Sequence, residues 1–207
     1  MHPRRLYAHR GASAELPENT LPAFELAIEL GADFVELDVH ARADGELVVT
    51  HDAPRRRTPL PTLAEVLDLC RGRIGVMVEL KTPYRYRRHR LIERTLALLG
   101  DDAVVVCFEP GATARVRALR PELRTVQHVA FVPIRLAAAR GCWAVGLEDR
   151  RATPRALRSA ARKGLATTVY TVNEPARMLE LANLGVTGIF TDRPRQALAY
   201  LGPPAAG

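Results

Sequence analysis

The chain has 207 residues, of which 47% are hydrophobic and 26% are charged, and its formal net charge is +7. These values are typical of one globular domain, which we place at residues 1–207, and they exclude disordered and fibrous proteins. No apolar run approaches the ~18 residues that a membrane span needs. The N-terminal segment 1–7 has two arginines but no apolar stretch behind them, so we expect no secretory signal and a cytoplasmic protein.

The cysteines indicate a reducing environment. Cys70, Cys107 and Cys142 are far apart in the sequence, odd in number, and none belongs to a CxxC pair. We therefore predict buried free thiols and neither a disulfide framework nor a zinc site.

Short apolar runs alternate with helical patterns along the whole chain. The predicted strands are, in chain order, Leu6–His9, Phe34–Val39, Val76–Lys81, Ala103–Phe108, Thr125–His128, Ala144–Glu148, Thr167–Val172 and Thr187–Thr191. The first predicted helix follows a cap at Thr20, and one of its faces carries Leu21, Phe24, Ala27 and Ile28. The second helix has Leu63, Val66, Leu67 and Cys70 on one face, and the third has Leu91, Thr95 and Leu98. The later helices are predicted over 110–119, 133–140, 154–163, 174–184 and 193–201. Eight β-then-α units predict a closed (β/α)₈ TIM barrel. A doubly wound open sheet is the alternative, although no GxGxxG motif follows the first strand.

One segment interrupts this alternation. The turn signal Ala43–Glu46 is followed by a further apolar run, Leu47–His51. We therefore expect a hairpin arm after the second barrel strand, where a simple barrel would pass directly into a helix.

The second strand carries two carboxylates on one face. Because strand side chains alternate, the apolar residues at 35, 37 and 39 face the helices, and Glu36 and Asp38 point into the barrel. They lie near the C-terminal end of the strand, where barrel active sites are found. Two like charges held this close need a compensating cation, and a divalent metal ion is the simplest one. Ion pairs with arginines are the alternative.

The third strand repeats the pattern. Glu79 and Lys81 share one face, and Lys81 is one of only two lysines in the chain. If Glu79 points into the barrel, it adds a third hard oxygen ligand to those of Glu36 and Asp38, and such a set favours Mg²⁺ or Ca²⁺ over zinc. The alternative is that Glu79 and Lys81 both point to the surface.

Two histidines end predicted strands on the same side of the barrel. His9 precedes Arg10 and Gly11, and His51 ends the hairpin arm. Two imidazoles across one site can act as general acid and general base near neutral pH. Arg10 offers a planar fork for phosphate oxygens, and Gly11 permits a sharp turn. Either histidine alone is more often structural, but the predicted metal cluster beside them favours catalysis.

These segments match a known series of motifs in order and spacing. The segments are His9-Arg10-Gly11, Pro17-Glu18-Asn19-Thr20, Glu36-Leu37-Asp38-Val39, His51-Asp52, Glu79-Leu80-Lys81, Tyr170-Thr171-Val172-Asn173 and Gly188-Ile189-Phe190-Thr191-Asp192-Arg193-Pro194. Together they resemble the glycerophosphodiester phosphodiesterases, and the resemblance spans residues 7–194. It implies a (β/α)₈ barrel that hydrolyses a small glycerol-type phosphodiester to glycerol 3-phosphate and an alcohol, with one divalent cation, Mg²⁺ or Ca²⁺.

Carried over by position, the resemblance also implies a role for each of these residues. It implies that Glu36, Asp38 and Glu79 bind the metal and that His9 and His51 are the acid and base pair. It further implies that Arg10 and Lys81 bind the phosphate and that Glu18, Asn19 and Tyr170 support the site. Which histidine is the acid, and whether water or a neighbouring substrate hydroxyl attacks, stay open at this point.

Two segments depart from the family's pattern. Members commonly carry a cap insertion after the His-Asp motif, whereas here only residues 53–61 lead to a helix starting near Thr62. Tyr170 stands where the family often has Trp. A shorter cap gives a more open mouth, so lysophospholipids cleaved at the same site, as by a lysophospholipase D, are the alternative substrates.

Two basic clusters follow predicted catalytic strands. Arg55–Arg57 is one, and in Tyr84–Arg90 four arginines are interleaved with two tyrosines. We interpret them as a rim that steers anionic substrates or makes transient contact with an anionic membrane surface, with a solvated face as the alternative. A nucleic-acid-binding module would leave the inward carboxylates unexplained, so we expect no nucleic-acid partner. No feature predicts an oligomeric state.

Other residues receive plainer interpretations. We interpret His40 and His128 as structural, and Asp192-Arg193-Pro194 as the cap and first turn of the last helix, with a direct role in the site as the alternative. Glu109 follows the fourth strand, and contact with a glycerol hydroxyl is the alternative to a structural role there.

Overall fold

The computed structural model describes residues 5–55, 58–130 and 133–202. Within these ranges strands alternate with helices. The strands are β1 Arg5–His9, β2 Phe34–Ala41, β3 Leu47–Val49, β4 Gly75–Leu80, β5 Val104–Cys107, β6 Arg124–His128, β7 Ala144–Glu148, β8 Ala166–Tyr170 and β9 Gly188–Thr191. The helices are α1 Leu21–Leu30, α2 Leu63–Cys70, α3 Leu91–Leu98, α4 Pro110–Leu119, α5 Ile134–Ala139, α6 Pro154–Ala161, α7 Pro175–Asn183 and α8 Pro194–Leu201. None of the helices in these ranges is both long and apolar enough to cross a membrane.

Eight of the strands close into a parallel barrel. They follow the order β1-β9-β8-β7-β6-β5-β4-β2, and β2 returns to pair with β1. β3 pairs antiparallel with the end of β2, where Val39 lies opposite Val49. The (β/α)₈ barrel and the hairpin arm predicted from the sequence are both confirmed. All eight barrel strands present their C-terminal ends at one rim, so residues that follow them meet there.

Local signals set the helix boundaries. The Thr20 side chain accepts a hydrogen bond from the backbone of Ala23, which confirms the predicted cap of α1. Thr62 and Glu65 form a reciprocal capping box at the start of α2. Proline is the first residue of α4, α6, α7 and α8, where its missing N–H costs nothing.

The core has an outer and an inner part. Val35, Leu37 and Val39 of β2 pack outward with apolar residues of the helices, as their alternation predicts. Inside the barrel, a smaller cluster fills the middle. It consists of Tyr7, Met77, Val104, Val106, Val126, Ala144 and Phe190. This packed interior supports the polar residues at the C-terminal rim.

Two side-chain predictions have different outcomes. Leu98 was expected on the buried face of α3, but it is 48% exposed. The buried stripe runs through Leu96 and Leu99, and because successive helical residues are about 100° apart, Leu98 turns away from it.

Cys70, Cys107 and Cys142 are all buried free thiols, as predicted.

Candidate active site and metal centre

Three carboxylates meet near the C-terminal ends of β2 and β4. Glu36 and Asp38 both point into the barrel, and Asp38 lies beside Glu79 in the parallel register of the two strands. All three residues are buried, and each offers an oxygen within 4.8 Å of the other two. The structure therefore brings together the cluster that strand alternation predicts.

This cluster holds more negative charge than a buried site accommodates alone. Burial raises the pKa of Glu36 well above its ordinary value, and the charges of Asp38 and Glu79 add to the effect. Burial and the charge of Asp38 also raise the pKa of Glu79. A divalent cation among these oxygens would stabilise the ionised forms and reverse both effects.

Two basic side chains partly neutralise the cluster. Lys81 follows β4, and its Nζ lies 2.9 Å from Glu79 Oε1 and 3.4 Å from Asp38 Oδ1. Arg10 Nε lies 3.0 Å from Asp38 Oδ2, and Arg10 Nη1 donates to Glu18 Oε2 at 2.8 Å. Burial opposes both positive charges, but the neighbouring carboxylates outweigh it and hold the pKa of Lys81 and of Arg10 above their usual values. Both side chains are therefore cationic at neutral pH.

Asn19 fixes the position of Asp38. Its Nδ2 donates to Asp38 Oδ2 at 2.9 Å, and its Oδ1 accepts from the Asp38 backbone N–H at 3.2 Å. Asn19 has φ +57°, a left-handed conformation that asparagine tolerates, and its own N–H donates to the Arg10 carbonyl. Asn19 thus contacts Asp38, and Glu18 contacts Arg10, while their supporting role stays a prediction.

The turn after β1 needs glycine at position 11. Gly11 has φ +86°, and a Cβ there would lie 2.7 Å from the backbone carbon of Ala23. The preceding N–H, of Arg10, donates to Glu36 Oε2 at 3.2 Å. The turn thus aims backbone as well as side-chain donors at the carboxylate cluster.

The donor set fits a hard divalent cation. Oδ1 of Asp38 is buried and has no hydrogen-bond partner within the described residues, whereas Asn19 occupies the other oxygen. The candidate ligands are carboxylate oxygens, without thiolate or imidazole, which is the set that Mg²⁺ and Ca²⁺ prefer. Within the part of the chain that the structure describes, Glu36, Asp38 and Glu79 therefore form a group that could hold a metal ion.

His9 is held by a carboxylate from the far end of the sequence. Its Nδ1 lies 2.7 Å from Asp192 Oδ1. Asp192 also accepts from Asn173 Nδ2 at 2.7 Å and from Ser13 Oγ at 3.2 Å. Burial opposes the charge of Asp192, but these bonds, with that from His9 the strongest, lower its pKa to about 2. Because a carboxylate only accepts, Nδ1 carries the hydrogen and Nε2 of a neutral His9 is free to take a proton.

Asp192 differs from its favoured sequence interpretation. The segment 192–194 does begin α8, but the cap residue is Arg193, which makes no side-chain capping bond, and the Asp192 carboxylate binds His9 instead. The available signal was the Asn173 motif after β8, whose amide binds both the Asp192 carboxylate and its backbone N–H. The Asp192 carboxylate is thus held by His9 at one oxygen and by Asn173 at the other, which indicates a role in the site and not in capping.

His51 lies just beyond β3 at the open side of the site. The N–H of Thr50 donates to the Asp38 carbonyl at 2.9 Å, so His51 directly follows a residue that is hydrogen-bonded to β2. Its Nδ1 lies 3.1 Å from Asp52 Oδ1, and the His51 side chain is 40% exposed. His9 is the last residue of β1 and His51 follows β3, and both strands pair with β2, which carries Glu36 and Asp38.

An aromatic group lines the other side of the rim. The His128 ring stacks on Tyr170 with 4.2 Å between ring centroids, and Phe108 packs edge-on against both. Burial lowers the pKa of His128 to about 3, so its imidazole is neutral at physiological pH. Gly146 makes room for this ring. The His128 ring is buried, and Tyr170 lies where it can contribute an aromatic wall.

The loop after β4 forms a basic rim. Arg85, Arg87, Arg88 and Arg90 are exposed, and within the described residues none of them pairs with a carboxylate. Tyr84 in the same loop is 52% exposed. Of the other predicted cluster, Arg55 is exposed, and positions 56 and 57 lie outside the described residues.

Glu109 lies beside this basic rim. It follows β5 and is partly buried, and burial raises its pKa. No contact in the described residues assigns it a glycerol hydroxyl, so that role stays a prediction.

A match to a protein-family model identifies the family of this chain. The model of the Glycerophosphoryl diester phosphodiesterase family matches residues 9–71 and 54–196. The chain belongs to this family. The two matched segments overlap at 54–71, which includes most of the short loop where the sequence predicts a reduced insertion.

Relatives in the glycerophosphoryl diester phosphodiesterase family match along most of their length. A glycerophosphodiester phosphodiesterase of Bacillus subtilis is 28% identical over 90% of this chain and 83% of its own. A Mycobacterium tuberculosis protein named Probable glycerophosphodiester phosphodiesterase 1 is 31% identical over 94% of this chain and 91% of its own.

Solved structures show the same barrel. A phosphodiesterase of Oleispira antarctica, solved in complex with the product sn-glycerol-3-phosphate, has a TM-score of 0.87 and 22% identity over 96% of this chain and 97% of its own. A glycerophosphodiester phosphodiesterase from Agrobacterium tumefaciens has a TM-score of 0.74 and 26% identity over 95% and 99%. The fold of the family is thus preserved in this chain.

Proposed function

We propose that this chain hydrolyses glycerophosphodiesters to glycerol 3-phosphate and an alcohol with the help of a bound divalent cation. The observation that carries the proposal is the buried cluster of Glu36, Asp38 and Glu79 on β2 and β4, together with the His9–Asp192 pair at the ends of β1 and β9, since β1 pairs with β2. The names of the relatives, and the glycerol phosphate bound to the Oleispira antarctica protein, support the same reaction.

The three carboxylates are the proposed ligands of Mg²⁺ or Ca²⁺. When bound, the ion supplies positive charge and Lewis acidity to the oxygens of a phosphodiester. Asn19 restrains Oδ2 of Asp38 by a hydrogen bond, whereas Oδ1 lies 3.4 Å from Lys81 Nζ and has no hydrogen-bond partner within the described residues. The chain itself therefore fixes the donor oxygens before any ion arrives, which keeps their reorganisation small.

Arg10 and Lys81 are the proposed phosphate-binding residues. A phosphodiester carries one negative charge and accumulates more in the transition state, so donors fixed in advance stabilise the latter. The planar guanidinium of Arg10 can contact two phosphate oxygens, and the Lys81 ammonium acts as a compact charge. Both are anchored by carboxylates of the cluster, so they are already directed at the site.

His9 and His51 divide the proton transfers. Nε2 of His9 takes the proton of the attacking oxygen, either of water or of a neighbouring substrate hydroxyl, because its Nδ1–H is engaged by Asp192. Asp192 then stabilises the imidazolium. Protonated His51 gives its proton to the departing alkoxide, which is otherwise a poor leaving group. One proton is taken and one returned, so exchange with solvent resets the pair.

The substrate test compares two diesters. We expect release of glycerol 3-phosphate from glycerophosphocholine in the presence of Mg²⁺ or Ca²⁺, measured by a coupled dehydrogenase assay. Lysophosphatidylcholine, assayed by choline release, provides the comparison. Cleavage of lysophosphatidylcholine alone would overturn the proposed substrate class while leaving the phosphodiesterase site intact.

The basic rim fits an anionic substrate or surface. Arg85, Arg87 and Arg88 are exposed and carry charge that no carboxylate in the described residues neutralises. Such charge near the mouth of a site raises the rate of encounter with anions and attracts anionic lipid headgroups. We propose that it steers diesters toward Lys81.

A further inference from the structure

His40 links two loops at the rim without touching the reacting groups. It lies on β2 two residues beyond Asp38 and is buried. Its Nε2 lies 3.1 Å from the backbone carbonyl of His51, and its Nδ1 lies 3.0 Å from the hydroxyl of Tyr86. Tyr86 is also buried and belongs to the loop after β4. The imidazole therefore bridges the hairpin arm and the basic rim.

The direction of the two hydrogen bonds follows from their chemistry. A carbonyl oxygen only accepts, so Nε2 of His40 carries the hydrogen that it donates to His51. On a neutral imidazole, Nδ1 is then an acceptor, and the Tyr86 hydroxyl donates to it. Both ring nitrogens of His40 therefore have a hydrogen-bond partner, although the ring is buried.

We propose that His40 and Tyr86 are positioning residues that hold His51 in place for proton transfer. The inference rests on the proposed function, in which His51 is the general acid. It also revises the sequence interpretation of His40 as merely structural.

The contrast with His9 supports this role. The His9 ring is fixed by Asp192, which is itself bound by Asn173. The ring of His51 contacts Asp52, whose side chain is 95% exposed and therefore provides little restraint. His51 is accordingly restrained through its backbone. Its carbonyl accepts from His40, and the N–H of the preceding residue, Thr50, donates to the Asp38 carbonyl. Displacement by about 1 Å is enough to cost roughly 100-fold in rate.

A double-mutant cycle separates positioning from general structure. We expect His40→Leu to lower kcat for glycerophosphocholine about 10-fold or more and Tyr86→Phe to lower it a few-fold, each with little change in KM. Neither substitution should lower the residual rate of a His51→Ala enzyme further. His40→Gln, which can keep a donor near the carbonyl, should recover part of the loss. Cys70→Ala, a buried change in α2, controls for lost stability and should keep kcat.

A second readout does not depend on activity. Hydrogen–deuterium exchange of the folded variants should be faster at residues 50–54 in His40→Leu and Tyr86→Phe than in Cys70→Ala. Unchanged exchange there, or equal kcat losses with and without His51, would overturn the proposal. If the wild-type chain cleaves no diester, the proposed function fails, and the exchange rates alone decide whether His40 restrains His51.

Discussion

The Nδ1 atom of His9 lies 2.7 Å from Oδ1 of Asp192, although 183 residues separate the two in the sequence. The contact exists because β1 and β9 are neighbours in the closed barrel, with Ala8 opposite Thr191 at their ends. Asn173 holds the second oxygen of the carboxylate at 2.7 Å, so its orientation is fixed. A histidine held in this way keeps one tautomer and presents one nitrogen to the site.

Replacing Asp192 tests this arrangement. We expect Asp192→Asn to lower kcat about 10–100-fold with a small effect on KM, because an amide can still accept from Nδ1 but does not stabilise the imidazolium. Steady-state kinetics with glycerophosphocholine provide the measurement. Ser13→Ala is the control, since it removes another bond to Asp192 without removing the charge. Equal kcat for wild type and Asp192→Asn would show that the carboxylate has no part in catalysis.

Replacing Glu36 tests the electrostatics of the metal-free cluster. Burial, with the charges of Asp38 and Glu79, raises the pKa of Glu36 in the folded state. Between the unfolded pKa of about 4.3 and the raised value, the folded state therefore binds more protons, and stability falls as pH rises. We expect Glu36→Gln to raise the Tm of the metal-free protein at pH 7.5 and to flatten its decline from pH 4.5 to 8.

Thermal unfolding in EDTA, and then with added Mg²⁺ or Ca²⁺, measures both parts of this prediction. The ions should raise the Tm of the wild type more at high pH than at low pH, and should have little effect on Glu36→Gln, since binding competes with protons. Glu29→Gln, an exposed change in α1, is the control. Parallel Tm curves for wild type and Glu36→Gln would contradict the account.

Adding a methyl group at Gly146 tests the packing below the site. A Cβ there would collide with Cδ2 of the buried His128 ring. Gly146→Ala should therefore lower the free energy of unfolding by about 1–3 kcal/mol, the usual cost of overpacking. Urea denaturation gives the value. The double variant with His128→Ala should lose less than the sum of the two single losses; an additive result would mean that the ring and the methyl group do not compete for space.

Neutralising the rim tests electrostatic steering. We expect Arg87→Gln/Arg88→Gln to lower kcat/KM a few-fold at low ionic strength and to weaken its dependence on salt, because exposed charges are screened beyond about 10 Å at 0.1 M. Arg158→Gln/Arg162→Gln, which removes two exposed charges from α6 and the turn after it, should leave both unchanged. An unaltered salt dependence in the rim variant would exclude steering by these residues.

Periodic features were predictable from the sequence because they depend on near neighbours. The inward direction of Glu36 and Asp38 follows from alternation along β2, and the start of α1 follows from Thr20. The barrel then brings Glu79 beside Asp38 by pairing adjacent strands. Helix faces were less secure, as Leu98 shows, because the buried stripe of a short helix depends on where it meets the sheet.

Contacts between distant segments were not predictable in this way. The His9–Asp192 bond depends on barrel closure, and the His40–Tyr86 bond depends on the path of an irregular loop. Neither bond has a sequence period, and an Asp two residues before a Pro is equally typical of the start of a helix. The roles of such residues become visible only when their partners are known.

The measurement that tests the central claim most directly is metal-dependent turnover with and without the carboxylate cluster. Glycerol 3-phosphate release from glycerophosphocholine would be followed in EDTA and with Mg²⁺ or Ca²⁺, for the wild type, Glu36→Gln and the Glu29→Gln control. We predict metal-dependent release by the wild type and the control, and a loss of about 100-fold or more in Glu36→Gln. Equal release by Glu36→Gln, or full release by the wild type in EDTA, would contradict the assignment of this cluster as the metal centre of the enzyme.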